Sequence, residues 1–322
     1  MKTKSINRTY LSIAFLCCLL ITTMCRKKDS EATSNSQNQR IIAATVYFND
    51  TLESRGVYTY TGNLLTEVKS YDAGNAEDYK TVFGYTGNTI SSCTDYSKSN
   101  GSWNKESFME ISGFNGDNPL ETISHSYDNT GAEQSQSKTV YTYEGTLLKK
   151  MDEYNNNNGS WDLVGSTIYK YDSLGRIQQS NDTMNSWGHI TTYTYNAGQM
   201  TESLTQSYSY GILANSNKTS YEYANNRLSA SKFYYWIAGS WSQEGETQYD
   251  YNEFGNELRE KYIYTGSSAS MRVDVTYGEG SGNFRQCLKI EGDLPFLPGD
   301  PTPYPVKSIT LKSIRMNFLK YK

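Results

Sequence analysis

From Ile41 onward, apolar and polar residues alternate along the chain, and one short arrangement keeps returning. Its mark is an aromatic-x-aromatic triplet, a glycine-containing turn and an aliphatic residue. It reads YTYTGNLL from Tyr58, FGYTGNTI from Phe83, SGFNGDNPL from Ser112, YTYEGTLL from Tyr141 and YKYDSLGRI from Tyr169. It continues as YTYNAGQM from Tyr193, YEYANNRL from Tyr221, YDYNEFGNEL from Tyr249 and VTYGEGSGNF from Val275. Successive starts are separated by 25, 29, 29, 28, 24, 28, 28 and 26 residues, a near-constant period.

A period of two places Tyr169 with Tyr171, Tyr193 with Tyr195, and Tyr249 with Tyr251 on one face of a strand. The intervening Lys170, Thr194, Glu222 and Asp250 then belong to solvent. A second strand, such as LLKKMDEY from Leu147 or LREKYIY from Leu258, runs back to a polar turn. Several of these return turns carry NGSW or a variant, at Asn100–Trp103, Asn158–Trp161, Asn185–Trp187 and Ala238–Trp241. Asn-Gly and Gly-Ser supply the positive φ of tight hairpins. Trp161, Trp187 and Trp241 share the parity of the tyrosines that follow them and are expected on the core face. Trp103 is out of parity with Ser112 and Phe114, which predicts a bulge.

Two hairpin turns per repeat predict an all-β fold, an antiparallel up-and-down meander of roughly 16 to 20 strands. Exposed edges over so long a meander predict closure into a barrel or flattened barrel, or curling into a shell. Residues 41–322 read as a single domain, with a proline-rich segment over 295–305 before the last strands. Residues 26–40 have almost no apolar content and read as a flexible tether.

Composition sharpens the picture. The 322 residues include 29 tyrosines, which makes tyrosine the main core material and is foreign to disordered chains. The net charge of -4 supplies no broad basic field, so nucleic acid is not an expected partner.

At the N-terminus Lys2, Lys4 and Arg8 precede an apolar run from Leu11 to Leu20, too short for a comfortable span, with Cys25 after Met24. The segment ITTMCRKKDS resembles the signal of bacterial lipoproteins of Bacteroidetes-type envelopes. That resemblance implies a signal peptide over 1–25, acylation at Cys25 and attachment to a membrane, with the outer membrane as the expected address and its face left open. YKYDSLGRI and YDYNEFGNEL look like the YD repeats of RHS-type proteins, although Thr61, Glu144, Asn196 and Ala224 stand where those repeats carry Asp. Together with the NGSW turns, the repeats more closely resemble uncharacterised Bacteroidetes lipoproteins described as having a porin-like β fold.

Candidate chemistry is sparse. His125 and His189 read as structural or solvated, no metal or catalytic motif is present, and no cofactor is expected. Asp128, Asp172 and Asn252 sit where a short polar side chain bonds turn backbone, with a calcium site as the sharper alternative. Cys93 and Cys287 read as two separate buried thiols or as a bridge. Trp103, Trp161, Trp187 and Trp241 are the candidate ligand-stacking aromatics. The expectation is a non-catalytic envelope lipoprotein that binds or scaffolds, with a glycan or an envelope protein as partner. The alternatives are a porin-like pore component or an envelope hydrolase.

Overall fold

The computed structural model describes residues 39–283 apart from 117, 185, 186 and 254, together with Cys287. The signal region with Cys25, the tether up to residue 38 and the proline-rich segment 295–305 lie outside the described residues. The first strands are β1 (Gln39–Phe48), β2 (Thr51–Thr61), β3 (Leu64–Asp72), β4 (Glu77–Thr86), β5 (Thr89–Ser99) and β6 (Ser102–Ile111). A small excursion holds β7 (Phe114–Asn115) and β8 (Asn118–Pro119), followed by β9 (Glu121–Tyr127), β10 (Glu133–Glu144), β11 (Leu147–Asn157) and β12 (Ser160–Tyr171). Next come β13 (Ile177–Met184), β14 (Trp187–Asn196), β15 (Gln199–Ser209) and β16 (Ile212–Ala224). The series ends with β17 (Arg227–Ile237), β18 (Ser240–Tyr251), β19 (Glu257–Tyr264) and β20 (Ser270–Glu279).

Eighteen of these strands form one antiparallel sheet in chain order, and β20 pairs back onto β1 from Gln39↔Glu279 to Phe48↔Met271. The sheet is therefore a closed barrel with no free edge, the expected answer to so long a meander. Closure is built into the repeat. The last copy, VTY at Val275–Tyr277, is followed by no further strand among the described residues, and β1 pairs with it there. The copy at Ser112 departs from the rule: Pro119 removes a ladder donor, and the segment forms the separate β7–β8 hairpin.

Because the strands alternate in direction, all aromatic-x-aromatic turns lie at one end, the tyrosine end, and the NGSW-type turns lie at the other, the tryptophan end. The turns Asn100-Gly101 and Asn158-Gly159 have positive φ at both central residues, as a two-residue hairpin following the strand twist requires.

The tyrosine face is the inner face. Tyr58, Tyr169 and Tyr193 are each 4% exposed, whereas Lys170, Thr194, Glu222 and Asp250 are exposed, as alternation dictates. Two core clusters occupy the tyrosine end. One gathers Val46, Tyr58, Leu65, Phe83, Ile90, Cys93 and Cys287; the other runs through Tyr141, Leu148, Tyr169, Ile177, Tyr193, Met200, Tyr221 and Leu228. Cys93 and Cys287 both lie in the first cluster as thiols rather than as a disulfide.

Toward the tryptophan end the interior becomes hydroxylic, with Thr81, Thr167, Ser180, Thr191, Thr219, Ser231 and Thr247 buried. The first tyrosine of a pair reaches this layer. Its hydroxyl lies 3.2 Å from Ser203 for Tyr221, 3.2 Å from Ser231 for Tyr249 and 3.4 Å from Ser180 for Tyr193.

The second tyrosine has a different task. In seven hairpins the register shifts immediately before it, at Tyr60, Tyr85, Tyr143, Tyr171, Tyr195, Tyr223 and Tyr251. Such a bulge turns the strand away from its neighbour. Pairing of β15 with β16 accordingly stops at Glu202↔Ser220, and beyond it the Tyr223 hydroxyl donates to the Met200 carbonyl at 2.8 Å. The same bond joins Tyr171 to Leu148 at 2.6 Å, Tyr195 to Ile177 at 2.8 Å, Tyr251 to Leu228 at 2.9 Å and Tyr85 to Leu65 at 2.7 Å. A tyrosine hydroxyl thus replaces the ladder bond that each seam between repeats lacks.

Candidate functional site

The four tryptophans singled out in the sequence do not form one platform. Trp161 and Trp241 lie on the outer face, which corrects the expectation that they share the tyrosine face. In β12, Gly165 pairs with Glu153 but Leu163 pairs with Tyr154, so Val164 is an extra residue and the count of faces reverses. Glu244 has the same effect in β18. Trp103 is also outside: it shares the parity of the inner-facing Met109 and Ile111, not of Ser112 and Phe114, and the extra residue Glu106 reverses its face.

Each of these three rings is engaged by a lysine. Lys80 sits 4.9 Å from the Tyr96 ring and 4.7 Å from Trp103. Lys138 lies 5.0 Å from both Tyr154 and Trp161, and Lys218 is 5.0 Å from Tyr234 and 5.2 Å from Trp241. Such cation–π packing across neighbouring strands covers ring faces that a flat ligand would need.

Trp187 differs. Pairing of β13 with β14 runs without a shift from Gln179↔Thr192 to Met184↔Trp187, so Trp187 keeps the parity of Thr191 and Tyr193 and stands on the inner face at the tryptophan-end mouth. It is 46% exposed, and its ring meets that of His189 edge-on at 5.7 Å between centroids. His189 Nδ1 lies 3.1 Å from the Ser207 hydroxyl on β15. Asp182 is the cross-strand partner of His189, and the Thr167 hydroxyl lies 3.5 Å from its carboxylate.

Glu153 completes the group from β11. Its inner neighbour on β12 is Gly165, and a Cβ there would lie 3.6 Å from the Glu153 carboxylate, so the missing side chain leaves room for the acid to lean across the strand. Burial pushes the Glu153 carboxyl up from its ordinary range, and the charge of Asp182 adds to the effect. Burial likewise raises Asp182, opposed by His189 and by the Thr167 hydroxyl. Two carboxyls that resist ionisation, an imidazole, a hydroxyl and a partly exposed indole therefore line one stretch of the inner wall near an open end. Hydrogen-bonding groups beside an aromatic face suit a polyhydroxylated ligand.

His125 lies on the outer face of β9, with its ring 5.9 Å from Phe108. Asp128 and Asp172 bond their own turns: Asp128 accepts from Thr130 N at 2.8 Å and Ala132 N at 3.0 Å, and Asp172 accepts from Leu174 N and Arg176 N, both at 2.9 Å. Asn252 accepts from Asn256 N at 2.9 Å. Asp72, not singled out in the sequence, does the same for Ala76 N at 2.8 Å.

Glu153 and Asp182 were not among the sequence candidates. Asp182 was within reach: counting outward from a two-residue Asn185-Ser186 turn pairs Thr183 with Gly188 and Asp182 with His189. Glu153 was not, because on its own strand Tyr143 pairs with Leu148 but Thr142 with Lys150, and the extra Lys149 reverses the count of faces between Leu148 and Met151.

No family model and no curated protein matches the chain. Among solved structures, a porin-like protein from Bacteroides uniformis is similar at a TM-score of 0.37 and 8% identity, covering 74% of this chain and 98% of that one. A porin-like protein from Bacteroides vulgatus is similar at a TM-score of 0.38 and 11% identity, with the same coverage of both chains. A protein of unknown function from Bacteroides fragilis has a TM-score of 0.17 at 12% identity over 54% of this chain and 94% of its own.

Proposed function

We propose that the chain is a non-catalytic, lipid-anchored protein of the cell envelope that binds a glycan at the tryptophan-end mouth of its barrel. The observation that carries this reading is the inner-wall group of Trp187, His189, Ser207, Asp182 and Glu153. It joins a partly exposed indole to polar groups retained inside despite their burial cost. Trp187 supplies the stacking face, and the hydroxyl, imidazole and carboxyl groups take the hydroxyls of the sugar. The envelope address rests on the lipoprotein-like N-terminus with Cys25.

A bilayer-embedded pore fits less well, because the outer face carries ion pairs along the strands. Among them are Lys69 with Glu77 at 3.2 Å, Lys150 with Asp152 at 2.9 Å, and Arg259 with Asp274 at 2.6 Å. A lysine or arginine facing lipid at the midplane costs about 2–4 kcal/mol.

The test is an array of neutral and acidic oligosaccharides probed with the Cys25→Ser chain, followed by calorimetry on any hit. Trp187→Ala is expected to weaken binding roughly ten-fold or more, equivalent to about 1.4 kcal/mol, while Trp161→Ala leaves it unchanged. Retention of no glycan, or equal binding by Trp187→Ala, refutes the site. Release of shortened sugars refutes the non-catalytic part.

A further inference from the structure

The rim of the tryptophan end is divided. Around β1 to β10 the turns are polar, built from Asn49-Asp50, Gly74-Asn75, Asn100-Gly101 and Thr130-Gly131. The adjacent β15–β16 and β17–β18 hairpins instead end in apolar residues. Tyr210 is 87% exposed, Ile212 73%, Leu213 49% and Ile237 57%. Trp236 and Trp241 flank Ile237 with ring centroids 5.0 Å apart.

Backbone geometry sets these tips apart. Tyr210 and Ala238 hold φ of 49°, at the turn position that Asn100 and Asn158 occupy in sister hairpins at 51° and 53°. Asparagine tolerates this left-handed conformation, whereas a bulky L-residue strains in it. The tip therefore presents a tyrosine where the fold alone would favour asparagine, and nothing among the described residues buries it.

We infer that the β15–β16 and β17–β18 hairpin ends dock on the interface of a lipid bilayer. Isoleucine and leucine enter the acyl boundary, and tyrosine and tryptophan take the headgroup level. A row of convex tips in one rim fits a broad interface better than a groove-filling partner. The inference rests on the proposed reading of residues 1–25 as a lipoprotein signal, by which the apolar run Leu11–Leu20 and Cys25 bring the chain to a membrane. From Cys25 to Gln39 the chain spans at most about 50 Å. Strands of this length, tilted as in a barrel, stand about 30 Å high, so the tether reaches past the barrel from the tyrosine end, where β1 begins. Docking of this kind does not depend on glycan binding, and the polar arc of the rim leaves the mouth open on its other side.

The experiment uses the full chain on vesicles of phosphatidylethanolamine and phosphatidylglycerol at 3:1, with acyl chains brominated near the headgroup. The N-terminal segment contains no tryptophan, so it can hold every variant on the vesicle without contributing to the signal. Quenching of tryptophan emission by the brominated lipid is expected, and Ile212→Ser/Ile237→Ser should reduce it more than two-fold while the protein stays vesicle-bound. Trp236→Phe/Trp241→Phe should remove most of the quenching, and Trp103→Phe/Trp161→Phe should leave it. Absence of quenching in vesicle-bound protein, equal quenching in the serine variant, or dependence on Trp103 and Trp161 overturns the inference. So does a dimer in sedimentation equilibrium that the serine variant dissociates while quenching is absent, since the occupant is then a second copy.

Discussion

Replacing Tyr223 with phenylalanine removes one hydroxyl and leaves the ring in place. That hydroxyl donates to the Met200 carbonyl at 2.8 Å, beyond the last paired residues of the β15–β16 seam, and Met200 is fully buried. The lost bond is worth about 0.5–1.5 kcal/mol net, and a buried carbonyl left without a donor raises the cost to roughly 1–3 kcal/mol. For a barrel of this size each kcal/mol lowers Tm by about 2–4 °C, so Tyr223→Phe should melt several degrees lower. Tyr85 makes the equivalent bond to Leu65 in the other core cluster. The two substitutions share no partner, and their effects should add to within about 0.5 kcal/mol. Tyr210→Phe, at an exposed tip, is the control and should stay within about 0.5 kcal/mol of the parent. Urea titration followed by circular dichroism gives all four values. If Tyr223→Phe matches the parent within about 0.3 kcal/mol, the tyrosine hydroxyls do not hold the seams between repeats.

Burial pushes Tyr85, Tyr171, Tyr251 and the deeply placed Tyr169 well above the ordinary phenol range. Above about pH 10 the unfolded chain loses protons that the folded chain keeps, so stability falls with rising pH; ultraviolet titration should show these phenols ionising only as the barrel unfolds. Gly245 has no room for a side chain, since a Cβ would meet the Tyr262 hydroxyl at 2.5 Å and the Ile263 carbonyl at 2.7 Å; Gly245→Ala should cost at least about 1–3 kcal/mol in a denaturant melt. Glu153→Gln should raise Tm at pH 7 and change it little at pH 3. The raised carboxyl penalises the folded state only once the unfolded chain has ionised, so the burden is absent below the ordinary glutamate range and grows as pH rises through it.

The architecture was legible because a period of two and a period of about 28 coincide in this chain, and seven aromatic-x-aromatic triplets tie the register of the hairpins they open to sequence. Closure was left open between a barrel, a flattened barrel and a curled shell, and the pairing of β1 with β20 decides it. Individual faces beyond a bulge were not legible. Val164 and Glu244 each add one residue between a tyrosine pair and its tryptophan, which moved Trp161 and Trp241 from the inner face to the outer one. Nothing in a single strand announces such an insertion, because it is defined only against the partner. Trp187 was placed correctly since its hairpin has no bulge. Glu153 and Asp182 went unseen for a related reason: each looks like one more polar strand residue until the wall brings β11, β12 and β13 side by side.

The inner-wall site is tested most directly by a protein in which Trp103, Trp161, Trp236 and Trp241 are replaced by phenylalanine, leaving Trp187 as the sole indole. Titration with an oligosaccharide that the parent binds should shift or quench Trp187 emission with the same midpoint that calorimetry gives for the parent. Unchanged Trp187 emission across a titration in which calorimetry still records binding would place the ligand elsewhere and contradict the site.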